Sequence, residues 1–591
     1  MDTKTDQLTH LHVHSTYTLL GATAKIEDLV ARASRDGMTH LAITDTNALY
    51  GAVVFDRACR NASIKPIIGM TLLTAQPSDL ANIVDTLPET GYLVLLARDP
   101  AGYRSLCRLA SLLQSENRRE HHSINGLSLN DLAAYQEGVI CLTGGRRGWT
   151  ERLLRQGHHR AAHRYLGRLA GIFEERTYLS LEIHTTQDIP LAHKLAKLGH
   201  FLGIPPVAVQ PIYCIDAGHA KRLRLLAAMK HVCRVDEVPS SSVPGGGSES
   251  YITHWLDRSA VQQRYAQFPE ALAQTQMIAD QCGDTLPDQG LIWPRIELKQ
   301  DISPESKLRS DAHIGLHKYY GPHPAPDIVK RLDRELQAII QYGYTPLFLV
   351  VADIVRFAQK SDIPVSTRGS VANSLVAYCT GITTVDPIAH DLLFERFLSP
   401  ARVDVPDIDL DFCSRRRDEV LAYIREKYRE DHVASVATIS TMQPRSAVRE
   451  TAKAYGVSDQ QVDKLLRMLP HGWHPDPRRR DKRTVADIVN ELSDPFLKSV
   501  IEQAYQLVGQ PHHLSIHPGA IIITPGSLTD YVPVYWATKG CWITQYDHHD
   551  VEALGLPKID LLGIRALTVL ADAAAAVRRR NKNKFKLDDI P

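Results

Sequence analysis

The sequence predicts an α/β protein of several domains, and three observations carry that expectation. Short β-branched runs alternate with amphipathic segments from residue 10 to about 235, the rhythm of strands joined by covering helices. A Gly, Ser and Pro stretch, PSSSVPGGGSES at 239–250, then interrupts the pattern, and such a composition buries no apolar surface and reads as a linker. The chain has 591 residues, 44% hydrophobic and 23% charged. At ~100–200 residues per domain that means three to five domains, and it excludes a largely disordered, collagen-like or coiled-coil chain.

The first strands are HLAIT, IKPIIGM, GYLVLLA, GVICLTG, TYLSLEI and IPPVAVQ, separated by segments such as IEDLVARASRDG. Parallel strands in a barrel or doubly wound sheet are expected, with chemistry at the strand C-terminal ends. Helical periodicity resumes in VQQRYAQF, PEALAQTQMIADQ, PDIVKRLDRELQAIIQYGY and LFLVVADIVRFAQK. An α+β region follows from about 345 to 435, then helices over 445–507 broken by the polar HGWHPDPRRRDKR. Strands return in GAIIITP, YVPVYWA and CWITQYD before an Ala-rich helix around 566–580.

Composition limits the partners. Lys and Arg number 68 against 67 Asp and Glu, a net charge of +1, so a polyanion must be held by local patches and metal ions rather than by a bulk basic field. The nine cysteines are scattered with no C-x-x-C pair, which supports neither a disulfide scaffold nor a zinc ribbon. Neither a signal-length apolar stretch at the start nor a run near ~18 apolar residues is present. A cytoplasmic protein with reduced thiols and no membrane partner is expected.

The strongest chemical signal is VDVPDIDLDF, residues 403–412. On an extended strand Asp407, Asp409 and Asp411 share one face, while Ile408, Leu410 and Phe412 share the other. Two such carboxylates repel by ~1 kcal/mol in water and ~4 kcal/mol at an effective dielectric near 20, so a partly buried set calls for cations. Oxygen ligands without His or Cys point to magnesium or manganese; the plain alternative is an acidic face on a solvated edge strand. In PVSTRGSVANS, Gly369 lets backbone approach a ligand, Ser370 and Ser374 offer hydroxyls, and Arg368 offers a fork matched to phosphate. Standing alone it would be an ordinary turn. In GLPKIDLLGI the alternation puts Lys558 and Asp560 on one face, a third carboxylate for the same metals or a plain surface pair.

VSTRGSVANSLVAYCTGIT, DLLFERFLSPARVDVPDIDLDF, HPGAIIITP and LPKIDLLGI, in that order, resemble the palm of the bacterial C-family DNA polymerases, the DNA polymerase III alpha subunit family. RGSVANS and MQPRSAVRE are nearer its error-prone branch, and LHVHSTYTLLGA resembles the PHP domain that opens those enzymes. The resemblance implies a barrel-like PHP domain over 1–238, a linker over 239–255, and a polymerase-beta-like nucleotidyltransferase palm over 256–435 and 513–565. It implies a helical thumb over 436–512 and the start of the fingers over 566–591. It places catalytic, metal-binding carboxylates at Asp407, Asp409 and Asp560 with two Mg2+ or Mn2+ ions, and nucleotide contacts at Arg368, Gly369, Ser370, Lys558, Arg396 and Arg402. The implied partners are primer-template DNA and dNTP, with a sliding clamp or accessory subunits. In the thumb, Arg478, Arg479, Arg480, Lys482 and Arg483, together with Arg445, suit phosphate-backbone binding. Roles in replication, repair and translesion synthesis follow from kinship alone.

Two departures qualify the resemblance. His12, His14 and Asp45 match three metal positions of active PHP domains, yet Thr46, Thr71, Tyr92, Gln210 and Ile212 stand where other ligands belong. An imidazole or carboxylate lost to Thr or Ile removes its donor atom, so a scaffolding PHP domain, at most with a residual one-metal site, is expected. Family members also continue for several hundred residues past the third carboxylate. Weak or absent synthesis by these residues alone is therefore expected: either they are a fragment or split product completed by a second polypeptide that supplies fingers, or they work without template-directed selection. One alternative reading is a catalytically silent DNA-binding scaffold. Another is a PHP-type phosphoesterase or exonuclease.

Overall fold

The computed structural model describes residues 8–77, 90–115, 126–248, 250–287, 290–298, 302–398, 408–470 and 484–581. The chain divides into two compact units, one of residues 1–286 with 439–515 and the other of residues 287–438 with 516–591.

The first unit is built on a six-stranded sheet in chain order, β1 (His40–Ile43), β2 (Lys65–Ala75), β3 (Thr90–Ala97), β4 (Val139–Leu142), β5 (Thr177–Leu181) and β6 (Pro206–Ala208). Each falls on one of the apolar runs. The helix Ile26–Arg35 shows the accompanying period: Ile26, Leu29, Val30 and Ala33 are buried, the stripe that docks a helix on a sheet. The segment His10–His14 joins the two ends of the sheet. Its His10 and Val13 carbonyls accept from the Ala42 and Thr44 amides of β1 at 3.2 and 2.7 Å, and on its other side the His14 amide donates to the Ile212 carbonyl at 2.8 Å. The all-parallel expectation needs correction, since β3 runs antiparallel to both β2 and β4. Strands buried on both faces read as continuous apolar runs in either direction, so their period carries no polarity.

The Gly/Ser/Pro run is folded into this unit. Val243 and Pro244 are buried, and Gly245, at φ +63°, lies so close to Tyr251 that an added Cβ would sit 2.0 Å from its ring. The helix Pro269–Gln281 then buries Ile278 and Ala279 in the core with Val207 and Val209, which carries the unit to Leu286, past the boundary expected at 239–255. The helices Pro444–Ala454, Asp459–Met468, Val485–Glu491 and Pro495–Tyr505 share a core with the helix Ala220–His231 through Val448, Leu465, Ile501 and Leu226. The helical insertion thus belongs to the first unit by packing.

The second unit holds a mixed sheet in the order β11–β12–β9–β10–β13–β8–β7. These strands are β7 (Val365–Arg368), β8 (Asp409–Cys413), β9 (Val433–Thr441), β10 (Pro511–Ile523), β11 (Val534–Ala537), β12 (Cys541–Thr544) and β13 (Ile559–Ile564). The insertion leaves from the end of β9 and returns into β10. Leu410, Phe412, Leu561 and Ile521 face a core shared with Phe348, Val351 and Ile354 of the helix Thr345–Lys360 and Ile424 of the helix Arg417–Tyr428. Phe357 and Tyr423 stack between those helices at 3.9 Å. No single helix among the described residues is long and apolar enough to cross a membrane.

Candidate active site

One row of paired residues crosses the face of the second sheet away from its core. Ala520 of β10 is opposite Asp560 of β13, Asp560 is opposite Asp409 of β8, and Asp409 is opposite Arg368 of β7. Directly paired residues project to one face of a sheet, with strands ~4.8 Å apart. The alternation of the acidic motif therefore holds over its described part: Leu410 and Phe412 are fully buried, while Asp409 and Asp411 are half-buried on the opposite face. Asp407 and Arg402 lie outside the described residues.

Two carboxylates on this face, Asp560 and Asp411, are each paired with a cation. Lys558 Nζ donates to Asp560 Oδ2 at 2.8 Å. Asp560 is 9% exposed, and its Oδ1 is buried with no hydrogen-bond donor; the nearest imidazole nitrogen, His517 Nδ1, is 3.9 Å away. That Nδ1 accepts the Gly519 and Ala520 amides at 3.2 and 2.7 Å, which fixes the proton of the neutral ring on Nε2. Arg368 Nε lies 3.0 Å from Asp411 Oδ2, and Asp411 Oδ1 is likewise buried without a donor. Burial pushes the Asp411 carboxyl up, and the Arg368 guanidinium opposes the shift. Two orphaned anionic oxygens on one face are the donors a hard divalent cation takes, so the residues present fit such an ion.

Beside this row runs the glycine-serine turn. Gly369 has φ +85° and ψ −157°, a region essentially restricted to glycine, and a Cβ there would meet nothing within 4 Å. The backbone is thus open to a ligand. Ser370 begins the turn Ser370–Asn373, and the turn Phe394–Arg396, with an exposed Arg396, packs against it. Ser374 is a correction: its hydroxyl is buried, donates to Glu335 Oε2 at 3.0 Å and caps the helix Leu375–Cys379 by accepting from the Ala377 amide. Glu335 also accepts the Leu375 and Val376 amides at 2.6 and 3.2 Å and pairs with Arg331 at 2.9 Å. Arg331 in turn donates to the Asn373 and Leu392 carbonyls. Sequence reasoning missed this brace, whose only mark in the chain is a Glu at a core position of an otherwise amphipathic helix.

Among the basic residues of the insertion, Arg445 is exposed and donates to the Leu466 carbonyl at 3.0 Å, tying two helices together. Arg478, Arg479, Arg480, Lys482 and Arg483 lie outside the described residues.

In the first unit His12 and His14 meet with their Nε2 atoms 3.0 Å apart, and Tyr213 stacks on the His14 ring at 4.2 Å. Burial, reinforced by Arg147, pulls the His12 imidazole down to about 4 and His14 well below its usual value. Asp45 has both oxygens taken: Oδ1 accepts the Ser15 amide and the Thr18 hydroxyl at 2.7 Å each, and Oδ2 accepts the Ser15 hydroxyl at 2.8 Å. The Thr71 and Thr46 hydroxyls stand 3.3 and 3.4 Å from the imidazole nitrogens of His12 and His14. Gln210 Nε2 donates to the Ile252 carbonyl at 3.0 Å. The Arg147 guanidinium lies 4.0 Å over the Tyr92 ring and 3.3 Å from the Tyr213 hydroxyl. Hydroxyls, an amide and a fixed cation where a metal cluster needs imidazoles and carboxylates do not fit such a cluster. Among the described residues no group of three His, Cys, Asp or Glu is arranged to hold a metal ion.

Comparison with known proteins gives this pairing of units a class. Residues 10–186 match the PHP domain, and residues 306–563 match the bacterial DNA polymerase III alpha NTPase domain. The chain belongs to the bacterial DNA polymerase III alpha family. It is 33% identical to the DNA polymerase III subunit alpha of Bacillus subtilis (strain 168), over 98% of this chain and 50% of that protein. It is 35% identical to the error-prone DNA polymerase of Symbiobacterium thermophilum, over 96% of this chain and 52% of that one. The error-prone DNA polymerase of Mycobacterium bovis is 34% identical, over 95% of this chain and 50% of its own length. The chain spans about half the length of the curated relatives it matches.

Proposed function

We propose that this chain supplies the palm and thumb of a DNA-directed DNA polymerase alpha subunit, transferring nucleotidyl groups from dNTP to a primer 3′-hydroxyl. The second sheet serves as palm and the helical insertion as thumb. The single observation that carries the reading is the row Asp560–Asp409–Arg368 on the face of that sheet away from its core. Asp409 and Asp560 would hold divalent ions, Mg2+ or Mn2+; Asp407, the third expected ligand, lies outside the described residues. Bound there, such ions lower the pKa of the attacking hydroxyl and neutralise the triphosphate.

The chain's own residues do the rest. Lys558 holds Asp560 in place through one oxygen and leaves the other for the metal. Arg368, half-exposed on its Asp411 tether, swings to a phosphate oxygen, and the Gly369–Ser370 turn brings its backbone against the triphosphate. Glu335 and Arg331 keep that turn from yielding. The family match supports primer-template DNA, dNTP and further replisome subunits as partners.

Titration with Mn2+ in the presence of dNTP, read by electron paramagnetic resonance, tests the reading. The expected outcome is saturable binding weakened roughly tenfold or more by Asp409→Asn or Asp560→Asn. Binding indifferent to both substitutions, with no templated extension to lose, would leave the scaffold reading in its place.

A further inference from the structure

The outer surface of the first unit carries a feature that the palm chemistry does not use. The helices His159–Phe173 and Ile189–Leu202 contain no Asp or Glu. Arg160 and Arg164 are exposed one turn apart on the first, and Lys194 and Lys197 on the second. Among the described residues none of these four has an ion-pair partner. Like charges at such spacings destabilise a helix by roughly 0.2–0.5 kcal/mol per pair, and a face selected for stability alone would interleave carboxylates.

The two helices border a groove of about 1050 Å³ lined by His158, Arg160, His163, Arg164 and Leu198. Small-molecule sites are ~300–1,000 Å³, so the groove has room for an extended ligand. Beside it Phe201 is 76% exposed, with its ring 5.6 Å from that of His163. Leaving a phenyl ring in water costs burial energy that a polar side chain would not.

We propose that this groove binds single-stranded nucleic acid, with Arg160, Arg164, Lys194 and Lys197 on the phosphates and the Phe201 and His163 rings stacked on bases. Unpaired cations beside an exposed Phe201 ring and the half-buried His163 ring are what a strand without sequence preference requires. An acidic peptide would satisfy the cations but has no flat face for the rings. The inference stands on the first unit alone and holds whether or not the carboxylate row binds metal.

The test is fluorescence anisotropy of fluorescein-labelled oligo-dT with the whole chain across a salt series, paired with cross-linking through 5-iododeoxyuridine. For Arg160→Glu/Arg164→Glu, affinity should fall at least tenfold, and the log–log salt slope should flatten by about 1.4, at ~0.7 per phosphate contact of a single strand. Phe201→Ala should weaken binding about fivefold or more with an unchanged slope. Cross-links should map to the peptides containing His163 or Phe201. An affinity unmoved in both variants while circular dichroism reports a native fold would overturn the proposal, as would cross-links confined to other peptides. So would poly-glutamate binding more tightly than oligo-dT and lost in the same double variant, which would assign the groove to an acidic protein segment.

Discussion

Asp560 stands directly opposite Asp409 in the parallel register of β13 and β8, with Lys558 bonded to one of its oxygens at 2.8 Å and the other buried without a donor. The ammonium group therefore occupies one side of a carboxylate whose other side is open to a cation. Lys558→Met should free both oxygens and remove a positive charge, raising Mn2+ affinity several-fold while weakening dNTP binding. Parallel titrations with Mn2+ and with a fluorescent dNTP separate the two effects, and a fall in both would show that Lys558 merely holds the strand.

Arg368 is tethered to Asp411 rather than to the carboxylate opposite it. Arg368→Ala should leave the fold intact and weaken dNTP affinity about tenfold, the scale of a charge-assisted bond to phosphate. Equilibrium nucleotide titration checks this. Arg368→Lys should recover only part of the loss, because an ammonium cannot reproduce the fork.

Glu335 gathers two amides, a hydroxyl and a guanidinium in a buried pocket. Glu335→Ala strands Arg331 and three donors at once and should cost about 3–5 kcal/mol, the range for breaking a buried pair. Denaturant unfolding followed by tryptophan fluorescence measures it. Weaker dNTP binding below the unfolding midpoint would mark the brace as what positions the Gly369–Ser370 turn.

His10 is buried against Trp255 at 4.5 Å between ring centroids, and burial pulls its imidazole down to about 4. An unfolded histidine titrates near 6.5, so between pH 6.5 and 4 the unfolded chain takes up a proton that the folded one refuses. The stability this neutral ring supplies is complete above pH 6.5 and is lost as the pH falls to about 4, by up to ~3 kcal/mol. His10→Phe should flatten the melting temperature against pH over that window, and a slope matching the parent would dismiss the assignment.

Arg147 supplies the first unit with a cation that no chelator can remove. Metal analysis of the purified chain should find no stoichiometric ion lost on His12→Ala, and EDTA should leave the melting transition unmoved. Arg147→Met should lower that transition by several degrees, since it takes away both the ring contact with Tyr92 and the Tyr213 bond. A stoichiometric ion released by His12→Ala would contradict this account.

Much of this protein is written locally in its chain. The apolar runs marked the six strands of the first sheet because consecutive buried side chains need no distant information. The alternation in residues 408–412 placed Leu410 and Phe412 in the core and Asp409 and Asp411 opposite them, since a strand repeats every two residues. Tertiary structure alone decided what depends on partners far along the chain. The antiparallel course of β3, the register that sets Asp560 beside Asp409, the Glu335 brace under the glycine-serine turn and the docking of residues 439–515 on the helix Ala220–His231 all belong to this class. The physical reason is one of range. Periodicity tells a side chain which face to take, whereas register, strand polarity and buried hydrogen bonds are fixed by whichever distant element meets that face.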